Sequence, residues 1–271
     1  MKTILITGAS DGIGRETARR LATEGHHLLL HGRDPGKLDA AASELRAIAG
    51  AGPVETYRAE MSQLGEVAGL AEKVAARHDR LDVLINNAGV LKSADARLPG
   101  GLDLRFAVNT LAPALLTRRL LPSIPAGGRI IHLSSAAQAP VDLGALTDGR
   151  PLAAMDAYAQ SKLALTIWSQ ALAAELGPDG PVTVAVNPGS LLATRMVKEG
   201  FGVAGNDIGI GADILVRAAL SDAFAGASGR YFDNDAGRFA QPQAEAGDRE
   251  RVRVIVEAIE GLIADHLPPR R

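Results

Sequence analysis

The sequence predicts a single α/β domain in which helices cover both faces of a mostly parallel sheet. Short apolar runs alternate with longer helical patterns from the start of the chain, and strands separated by such helices form right-handed βαβ units. Aliphatic side chains dominate the 46% hydrophobic fraction, while aromatic residues make up 3%, which suits strands buried on both faces. The 271 residues contain no internal repeat and no linker, so we expect one domain over residues 1–271.

The strands are predicted from short runs rich in Val, Ile and Leu between turn residues. They cover residues 3–7, 27–31, 54–57, 81–85, 129–133, 182–186 and 229–232. Apolar residues at helical spacing predict helices over 13–23, 37–49, 64–76 and 156–176, and a final helix that starts near Asp248.

Three longer connections interrupt this alternation, at residues 136–157, 195–211 and 226–247. Connections beyond the carboxyl ends of parallel strands commonly form substrate sites. The second is rich in glycine and predicts a mobile lid. Its apolar side chains, which we expect to face a hydrophobic substrate, are Met196, Val197, Phe201 and Val203.

Composition excludes several classes of protein. The formal net charge of −2 gives no reason to expect nucleic acid or anionic membrane as a partner. The absence of cysteine excludes disulfides, thiolate metal sites and cysteine nucleophiles. His26, His27 and His31 flank or occupy one strand without the spacing of metal ligands, so we expect structural roles and no metal. No secretory signal and no run of ~18–20 apolar residues is present, so we expect a cytoplasmic protein.

A glycine-rich turn, Thr7-Gly8-Ala9-Ser10-Asp11-Gly12-Ile13-Gly14, joins the first strand to the first helix. Gly8 permits a tight turn, Gly12 lets the backbone approach a pyrophosphate, and Gly14 allows close packing of helix and strand. The helix N-terminus then offers N–H groups and partial positive charge to phosphates. Alone, such a turn is equally compatible with ordinary turn chemistry. Its position predicts a dinucleotide site in a Rossmann-type, doubly wound fold.

The end of the second strand indicates which coenzyme binds. Sites for NAD usually carry an acidic residue there, about 20 residues beyond the glycine turn. Gly32 removes that carboxylate, Arg33 offers a planar cation to a 2′-phosphate, and Ser10 can add a hydrogen bond. The alternative is a solvated turn arginine paired with Asp34. We predict NADP(H), with NAD(H) less favoured.

Tyr158 and Lys162 stand four residues apart on the predicted helix 156–176, so both project from one face. A phenol has an ordinary pKa near ~10, too high for efficient proton exchange at neutral pH. A neighbouring ammonium, with an oxidised nicotinamide nearby, favours the phenolate and lowers that pKa. The pair therefore predicts acid–base chemistry next to the nucleotide.

These motifs together resemble the short-chain dehydrogenase/reductase family over nearly the whole chain. The glycine turn matches the family's cofactor loop, and Asn86-Asn87-Ala88-Gly89 matches its Asn-Asn-Ala-Gly element. The remaining matches are Asn109, Ser135, Tyr158 and Lys162 as active-site residues, and Pro188, Gly189 and Thr194 as the nicotinamide-side segment.

The resemblance implies a role for each active-site residue. Tyr158 would exchange a proton with the substrate oxygen, and Ser135 would hold that oxygen. Lys162 would lower the tyrosine pKa and hold the nicotinamide ribose, and Asn109 would anchor a water in a proton path. Structural alternatives are a capping or core hydroxyl for Ser135 and a turn amide for Asn109.

Three features depart from the shortest family members. Glu60, followed by Met61, stands where the family usually has Asp at the adenine pocket. The spacing from Pro188-Gly189 to Thr194 is one residue longer than usual. The insertion before Tyr158 resembles the branch of retinol dehydrogenases and WW-domain oxidoreductases, whose membrane-bound members have an N-terminal anchor not found here.

We therefore predict an NADP(H)-dependent carbonyl reductase or alcohol dehydrogenase for a small apolar substrate. Two alternatives remain open: a nucleotide-sugar epimerase or dehydratase, and a non-catalytic NADP(H) sensor. The predicted helix 156–176 is apolar on several sides, including Trp168, and such helices are buried on several sides. We therefore expect a homodimer or homotetramer.

Overall fold

The computed structural model describes residues 1–93 and 95–268, whose strands form one eight-stranded sheet. Strands β1 to β8 cover Thr3–Ile6, His27–Gly32, Val54–Arg58, Val83–Asn86, Arg129–Leu133, Val182–Asn187, Tyr231–Asp233 and Arg238–Ala240. Their order is β3-β2-β1-β4-β5-β6-β7-β8, parallel except for the antiparallel pair β7–β8. Successive strands are added in one direction from β1 to β3 and in the opposite direction from β4 onward. A doubly wound fold forms its binding crevice at this switch point, between β1 and β4. The predicted fold class is confirmed.

The helices lie on both faces of this sheet. Helices α1 to α10 cover Gly12–Thr23, Pro35–Arg46, Leu64–Ala75, Leu104–Phe106, Ala112–Leu120, Leu143–Thr147, Ala154–Leu176, Arg195–Phe201, Ile208–Leu220 and Arg249–Ile263. A π-helical turn, Ala107–Leu111, joins α4 to α5. In the described part of the chain, no helix is both long enough and apolar enough to cross a bilayer.

The sheet divides the core into two layers because successive strand residues face opposite sides. Leu28 and Leu30 of β2 join the apolar cluster beneath α1, α2 and α9. Leu29, between them, joins the cluster beneath α3, α5, α7 and α10. All three leucines are fully buried, which explains why the strands read as continuous apolar runs rather than as an alternation.

Strand β8 was not predicted, because Arg238–Ala240 is three residues long and has no apolar period. Packing of Phe239 against two other phenylalanine rings holds this strand at the edge of the sheet. The Phe239 ring packs 5.3 Å from that of Phe224 and 5.1 Å from that of Phe232, measured between centroids. Contacts between distant residues therefore determine this edge strand.

Residues 195–211, predicted as a mobile lid, do not form one continuous loop, and their mobility remains a prediction. The segment contains α8, and α9 begins at Ile208. A Cβ added at Gly211 would lie 2.5 Å from Leu192 Cδ1 and 3.4 Å from Ile13 Cδ1. Gly211 thus lets α9 approach α1 closely and does not provide mobility. The side chain of Phe201 lies outside the described part of the structure.

Hydrogen bonds hold the connection 136–157 to α7 and to the segment that precedes α10. It contains α6, and the Asp142 N–H donates to Gln160 Oε1 of α7 at 2.9 Å. The Val141 N–H donates to Glu245 Oε2, close to the C-terminal helix, at 2.7 Å. These bonds hold the connection over the start of α7.

The apolar face of α7 that we assign to a partner subunit is covered by α10 of the same chain. Trp168 is fully buried and donates its indole N–H to Glu260 Oε1 at 2.8 Å. Ile255, Ile259 and Ile263 of α10 are fully buried in the same layer. The apolar surface of α7 therefore does not support the prediction of a homodimer or homotetramer. The oligomeric state remains a prediction.

Candidate active site

The glycine turn forms a backbone cradle between β1 and α1. Gly8 and Gly12 have φ angles of +66° and +59°, a region that side chains disfavour. A Cβ at Gly14 would lie 2.5 Å from Asn87 Nδ2, so only glycine fits there. The Asp11 carboxylate caps α1 by accepting from the Gly12 N–H at 2.7 Å, and Ile13 lies in the first helical turn.

Asn87 and Ala88 brace this cradle from the neighbouring strand. Asn87 Nδ2 donates to the Thr7 carbonyl at 2.7 Å and to the Gly8 carbonyl at 3.2 Å. The backbone N–H groups of Asn87 and Ala88 both donate to Thr7 Oγ1 at 3.0 Å. The Asn-Asn-Ala-Gly element thus fixes the glycine turn.

Gly89 leaves open the space in front of Asn109 and Lys162. A Cβ there would lie 3.3 Å from Asn109 Oδ1, 3.5 Å from Lys162 Nζ and 3.8 Å from Met196 Cε. The cradle continues from the glycine turn to Lys162 because this position carries no side chain. Such a track suits an extended dinucleotide, whose phosphates lie at the helix N-terminus.

Tyr158 and Lys162 project from α7 toward the carboxyl end of β5. Lys162 Nζ lies 5.7 Å from the centroid of the Tyr158 ring and donates to the Leu133 carbonyl at 2.7 Å. Lys162 is 3% exposed, and this burial lowers the pKa of its ammonium from the ordinary 10.5 to about 8.

Ser135 lies beside Tyr158, immediately after β5. Burial raises the pKa of Tyr158, and a hydrogen bond with the Ser135 side chain opposes that rise. The lowered tyrosine pKa that we predict is therefore not found in the protein alone, and it remains a prediction for the complex with oxidised nicotinamide. Nearby, Ser134 Oγ and Thr166 Oγ1 share a 2.7 Å hydrogen bond that fixes α7 against β5.

Asn109 lies in the π-helical turn and is 1% exposed. Its Nδ2 donates to the Val90 carbonyl and to Ser161 Oγ, both at 3.0 Å. Its Oδ1 accepts from the Val90 N–H at 2.8 Å. Both amide hydrogens are thus used within the protein, so only acceptor oxygens of Asn109 remain for the predicted water. One widened turn is common at functional sites, and here it ties the Val90 segment to α7.

At the end of β2, Gly32, Arg33 and Ser10 lie together. A Cβ at Gly32 would lie 3.0 Å from Ser10 Oγ, so this glycine also makes room for the serine. The Arg33 side chain is 68% exposed. Asp34 does not pair with it in the described contacts but caps α2, accepting from the Lys37 N–H at 3.1 Å.

Glu60 and Met61 behave differently from each other. The Glu60 carboxylate lies 3.9 Å from Arg33 Nη1 and accepts from the Ser62 N–H at 3.1 Å. Met61 is 5% exposed and belongs to the apolar layer under α3. Glu60 therefore faces the predicted phosphate-binding arginine, whereas the Met61 side chain packs in the core.

Thr194 lies across the cradle, with its Cγ2 3.7 Å from the position of a Cβ at Gly12. It caps α8 by accepting from the Val197 N–H at 3.2 Å. The segment from Pro188 and Gly189 to Thr194 contains Leu191 at a φ of +51°. This left-handed residue lies in the segment that is one residue longer than usual, yet Thr194 still faces the glycine turn.

Asp235 was missed by sequence analysis. Its Oδ1 accepts from the Ser190 N–H at 2.8 Å, and its Oδ2 accepts from Ser190 Oγ at 2.6 Å and from Asn187 Nδ2 at 2.8 Å. The carboxylate therefore holds both sides of Pro188-Gly189. It lies 45 residues beyond Ser190 in the turn between β7 and β8, so no local motif links them.

A cavity of about 550 Å³ lies between α8, the start of α7 and the segment after β4. A volume of this size accommodates a small organic molecule. Its wall combines apolar and charged groups: Lys92, Ser93, Ala96, Arg105, Leu152, Ala154 and Glu199.

A doubly wound fold with these motifs in this order defines the class of the protein. The chain matches the short chain dehydrogenase family over residues 2–201 and belongs to it. Within that family it belongs to the branch of the retinol dehydrogenases, as the insertion before Tyr158 predicts.

Three relatives illustrate the likeness. Human retinol dehydrogenase 13 is 32% identical over 263 residues, covering 90% of this chain and 80% of the relative. A protein of Streptomyces sp. (strain C5), provisionally named daunorubicin C-13 ketoreductase DnrU, is 35% identical over 257 residues, covering 91% and 88%. The structure of a short chain dehydrogenase from Shigella flexneri 2a str. 301 complexed with NADP has a TM-score of 0.68 and 28% identity. It covers 86% of this chain and 97% of that one.

Proposed function

We propose that this oxidoreductase interconverts a small carbonyl compound and its alcohol with NADP(H), and that Tyr158 is the acid–base residue. One observation carries the proposal. Tyr158, Ser135 and Lys162 converge at the carboxyl end of β5, where the cradle that begins at the glycine turn ends.

The residues of the cradle fit a dinucleotide. The pyrophosphate would lie at the amino end of α1 beside Gly12, opposite Thr194. The nicotinamide half would lie over Gly89, where a side chain would block the approach to Lys162. When bound, the nicotinamide supplies or accepts the hydride.

Tyr158 is suited to donate a proton to a carbonyl oxygen. Its raised pKa keeps the phenol protonated at neutral pH, so the acid form is the resting form. The Ser135 hydroxyl, next to Tyr158, would hold the same oxygen and stabilise its developing negative charge. In the alcohol-to-carbonyl direction the phenolate must form first, and this requires a nearby positive charge.

Lys162 supplies that charge within the chain. Its ammonium is buried, and electrostatic attraction is less screened there than in water. With a pKa of about 8, it is mostly charged at neutral pH and loses that charge as the pH rises through 8. The bond to the Leu133 carbonyl holds the ammonium in place while a phenolate develops on Tyr158.

NADP(H) rather than NAD(H) is favoured by the groups around Gly32. Arg33 and Ser10 can both reach a 2′-phosphate there, and Asp34 is directed to the N-terminus of α2. The NADP in the Shigella relative supports the same choice. The ketoreductase name of the Streptomyces relative supports a carbonyl substrate. The cavity between α8 and the start of α7 would receive that substrate, with Glu199 and Ala154 in its wall.

The test is Tyr158→Phe, assayed by NADPH absorbance on a panel of ketones and aldehydes. We expect kcat to fall by ~10²–10⁴-fold, while NADPH still quenches protein fluorescence with wild-type affinity. Tyr57→Phe, on the edge strand β3, is the matched control and should retain full activity. Near-native turnover by Tyr158→Phe would remove the tyrosine from the mechanism.

A further inference from the structure

A second cluster of polar side chains lies at the amino-terminal end of the sheet, opposite the candidate active site. His27 is the first residue of β2, Glu55 is the second residue of β3, and His78 follows the end of α3. The glycine turn and Tyr158 lie at the carboxyl ends of the strands. Whatever this cluster binds is therefore remote from the proposed reaction.

The three side chains converge on one point. His27 Nε2 lies 2.9 Å from Glu55 Oε1, and His78 Nε2 lies 3.4 Å from Glu55 Oε2. One ligand atom from each residue lies within 4.8 Å of the other two. The imidazoles meet edge to face, with centroids 5.2 Å apart and planes at 75°.

We propose that His27, Glu55 and His78 form a binding site for a divalent transition-metal ion, with Zn²⁺ as the reference ligand. Two imidazole nitrogens and one carboxylate oxygen are a common protein ligand set for Zn²⁺, with a fourth position left for water. The role we propose is stabilisation of the sheet edge, because the ion would link β2, β3 and the segment after α3.

Binding an ion would draw the three side chains closer together, since their ligand atoms lie within 4.8 Å of one another. Bonds of about 2.0–2.2 Å at tetrahedral angles place neighbouring ligand atoms roughly 3.4 Å apart. The two imidazole-to-carboxylate distances, 2.9 and 3.4 Å, lie near that value, but they run to different oxygens of the Glu55 carboxylate. The exposed fractions of the His27, Glu55 and His78 side chains are 15%, 31% and 11%, so the site is held in place yet open to solvent.

Two neighbours set the electrostatics of the cluster. Burial raises the pKa of Glu55, but hydrogen bonds from Tyr57 and His27 outweigh it, so the net pKa is lowered and the carboxylate is ionised. Tyr57 stays a neutral phenol, because burial and Glu55 raise its pKa to about 12. Its hydroxyl lies 3.0 Å from both Glu55 Oε2 and His78 Nε2. Arg77 Nη1, 3.9 Å from Glu55 Oε2, opposes a cation.

The alternative is a hydrogen-bonded cluster that only ties β3 to the end of α3. The two readings differ in one respect: a metal site binds one ion per chain and loses it when a ligand is removed. Removing a hydrogen-bonding partner changes stability without creating or abolishing metal affinity.

The experiment is a titration of tag-free, chelator-treated full-length protein with Zn²⁺ by calorimetry. We expect one equivalent to bind, and His78→Ala and Glu55→Gln each to weaken it at least about tenfold, as removal of a ligand or its charge should. His266→Ala, a histidine outside the cluster, is the matched control and should bind like the wild type. Arg77→Ala should bind about two- to fivefold more tightly, since one opposing exposed charge is removed.

A second readout separates the site from the reductase activity. At roughly one hundred times its Kd, Zn²⁺ should raise the thermal midpoint of the wild type by about 5 °C, but not that of Glu55→Gln. The proposal is overturned if the wild type binds no Zn²⁺ saturably, or if His78→Ala and the wild type bind it equally. Neither outcome depends on whether the chain reduces carbonyl compounds.

Discussion

The two ends of the proposed coenzyme site are built differently. At the nicotinamide end, Lys162 is 3% exposed and donates to a strand carbonyl at 2.7 Å. At the adenosine end, the Arg33 side chain is 68% exposed, and its nearest described acidic partner, Glu60, lies 3.9 Å away. Both residues are cations that would face the same coenzyme, yet only Lys162 is shielded from water.

The difference in burial predicts how strongly each charge acts on the bound coenzyme and substrate. A charge in a buried site interacts strongly with groups that change charge during reaction, whereas an exposed charge is screened by water and salt. Burial also costs stability, as the lowered pKa of Lys162 shows. We therefore expect large effects on turnover at the buried end and smaller effects on coenzyme choice at the exposed end.

Among the substitutions that compare these two ends, Lys162→Met should give the largest effect. We expect kcat to fall by about 10²–10³-fold, because the charge that stabilises the phenolate is lost. Stability at pH 7 should rise by about 2 kcal/mol. The shift of the pKa from 10.5 to about 8 corresponds to a folding penalty of about 3 kcal/mol, partly offset by the lost bond to Leu133, worth about 1 kcal/mol.

The pH dependence tests the sign of this penalty. Because the folded-state pKa of Lys162 is depressed, the penalty is fully present below pH 8 and disappears as the pH approaches 10.5. Urea unfolding at pH 7 and pH 9.5 should therefore show the gain in Lys162→Met shrinking. Lys37→Met, at an exposed lysine, is the control. A destabilised Lys162→Met at pH 7 would contradict the argument.

Arg33→Ala should change coenzyme choice by about tenfold, measured as the ratio of kcat/KM for NADPH to that for NADH. Charge-assisted hydrogen bonds contribute ~1.5–3 kcal/mol, and exposure places Arg33 at the low end of that range. Arg58→Ala, a nearby exposed arginine that donates to the Arg33 carbonyl at 3.3 Å, is the control. If the NADPH-to-NADH ratio is unchanged in Arg33→Ala, Arg33 is a turn residue that does not bind the 2′-phosphate.

Asp235→Asn should raise the KM for the coenzyme about three- to tenfold and leave kcat nearly unchanged. The substitution keeps the shape but weakens three bonds to Ser190 and Asn187, each charge-assisted. Asp235→Glu should restore part of the affinity. A fall in kcat with normal KM would place Asp235 in the chemistry instead of in the nicotinamide-side loop.

Glu60→Gln should produce the smallest change, a two- to fivefold gain in preference for NADPH. Its carboxylate lies 3.9 Å from Arg33, and exposed pairs of this kind contribute about 0.2–1 kcal/mol. The gain should vanish in the Arg33→Ala background. If it persists there, Glu60 acts on the coenzyme directly and not through Arg33.

Local motifs allowed much of the candidate site to be predicted. The glycine turn and the Tyr158–Lys162 pair were predicted from local spacing, and Asn87, Asn109 and Ser135 from the resemblance to the short-chain dehydrogenase/reductase family. The structure brings them to one end of the sheet. The polar bonds that hold them there were not predictable, because Ser134–Thr166 and Asp235–Ser190 join residues 32 and 45 positions apart.

The sequence by itself determined the alternation of buried strands and helices, and with it the doubly wound fold, because these depend on local periods of apolar residues. Only the tertiary structure decided that α8 and α9 replace the predicted loop, that α10 covers α7, and that His27 meets Glu55 and His78. These outcomes depend on which surfaces bury each other best. This packing depends on all helices and strands together, so it cannot be read from any short segment of the sequence.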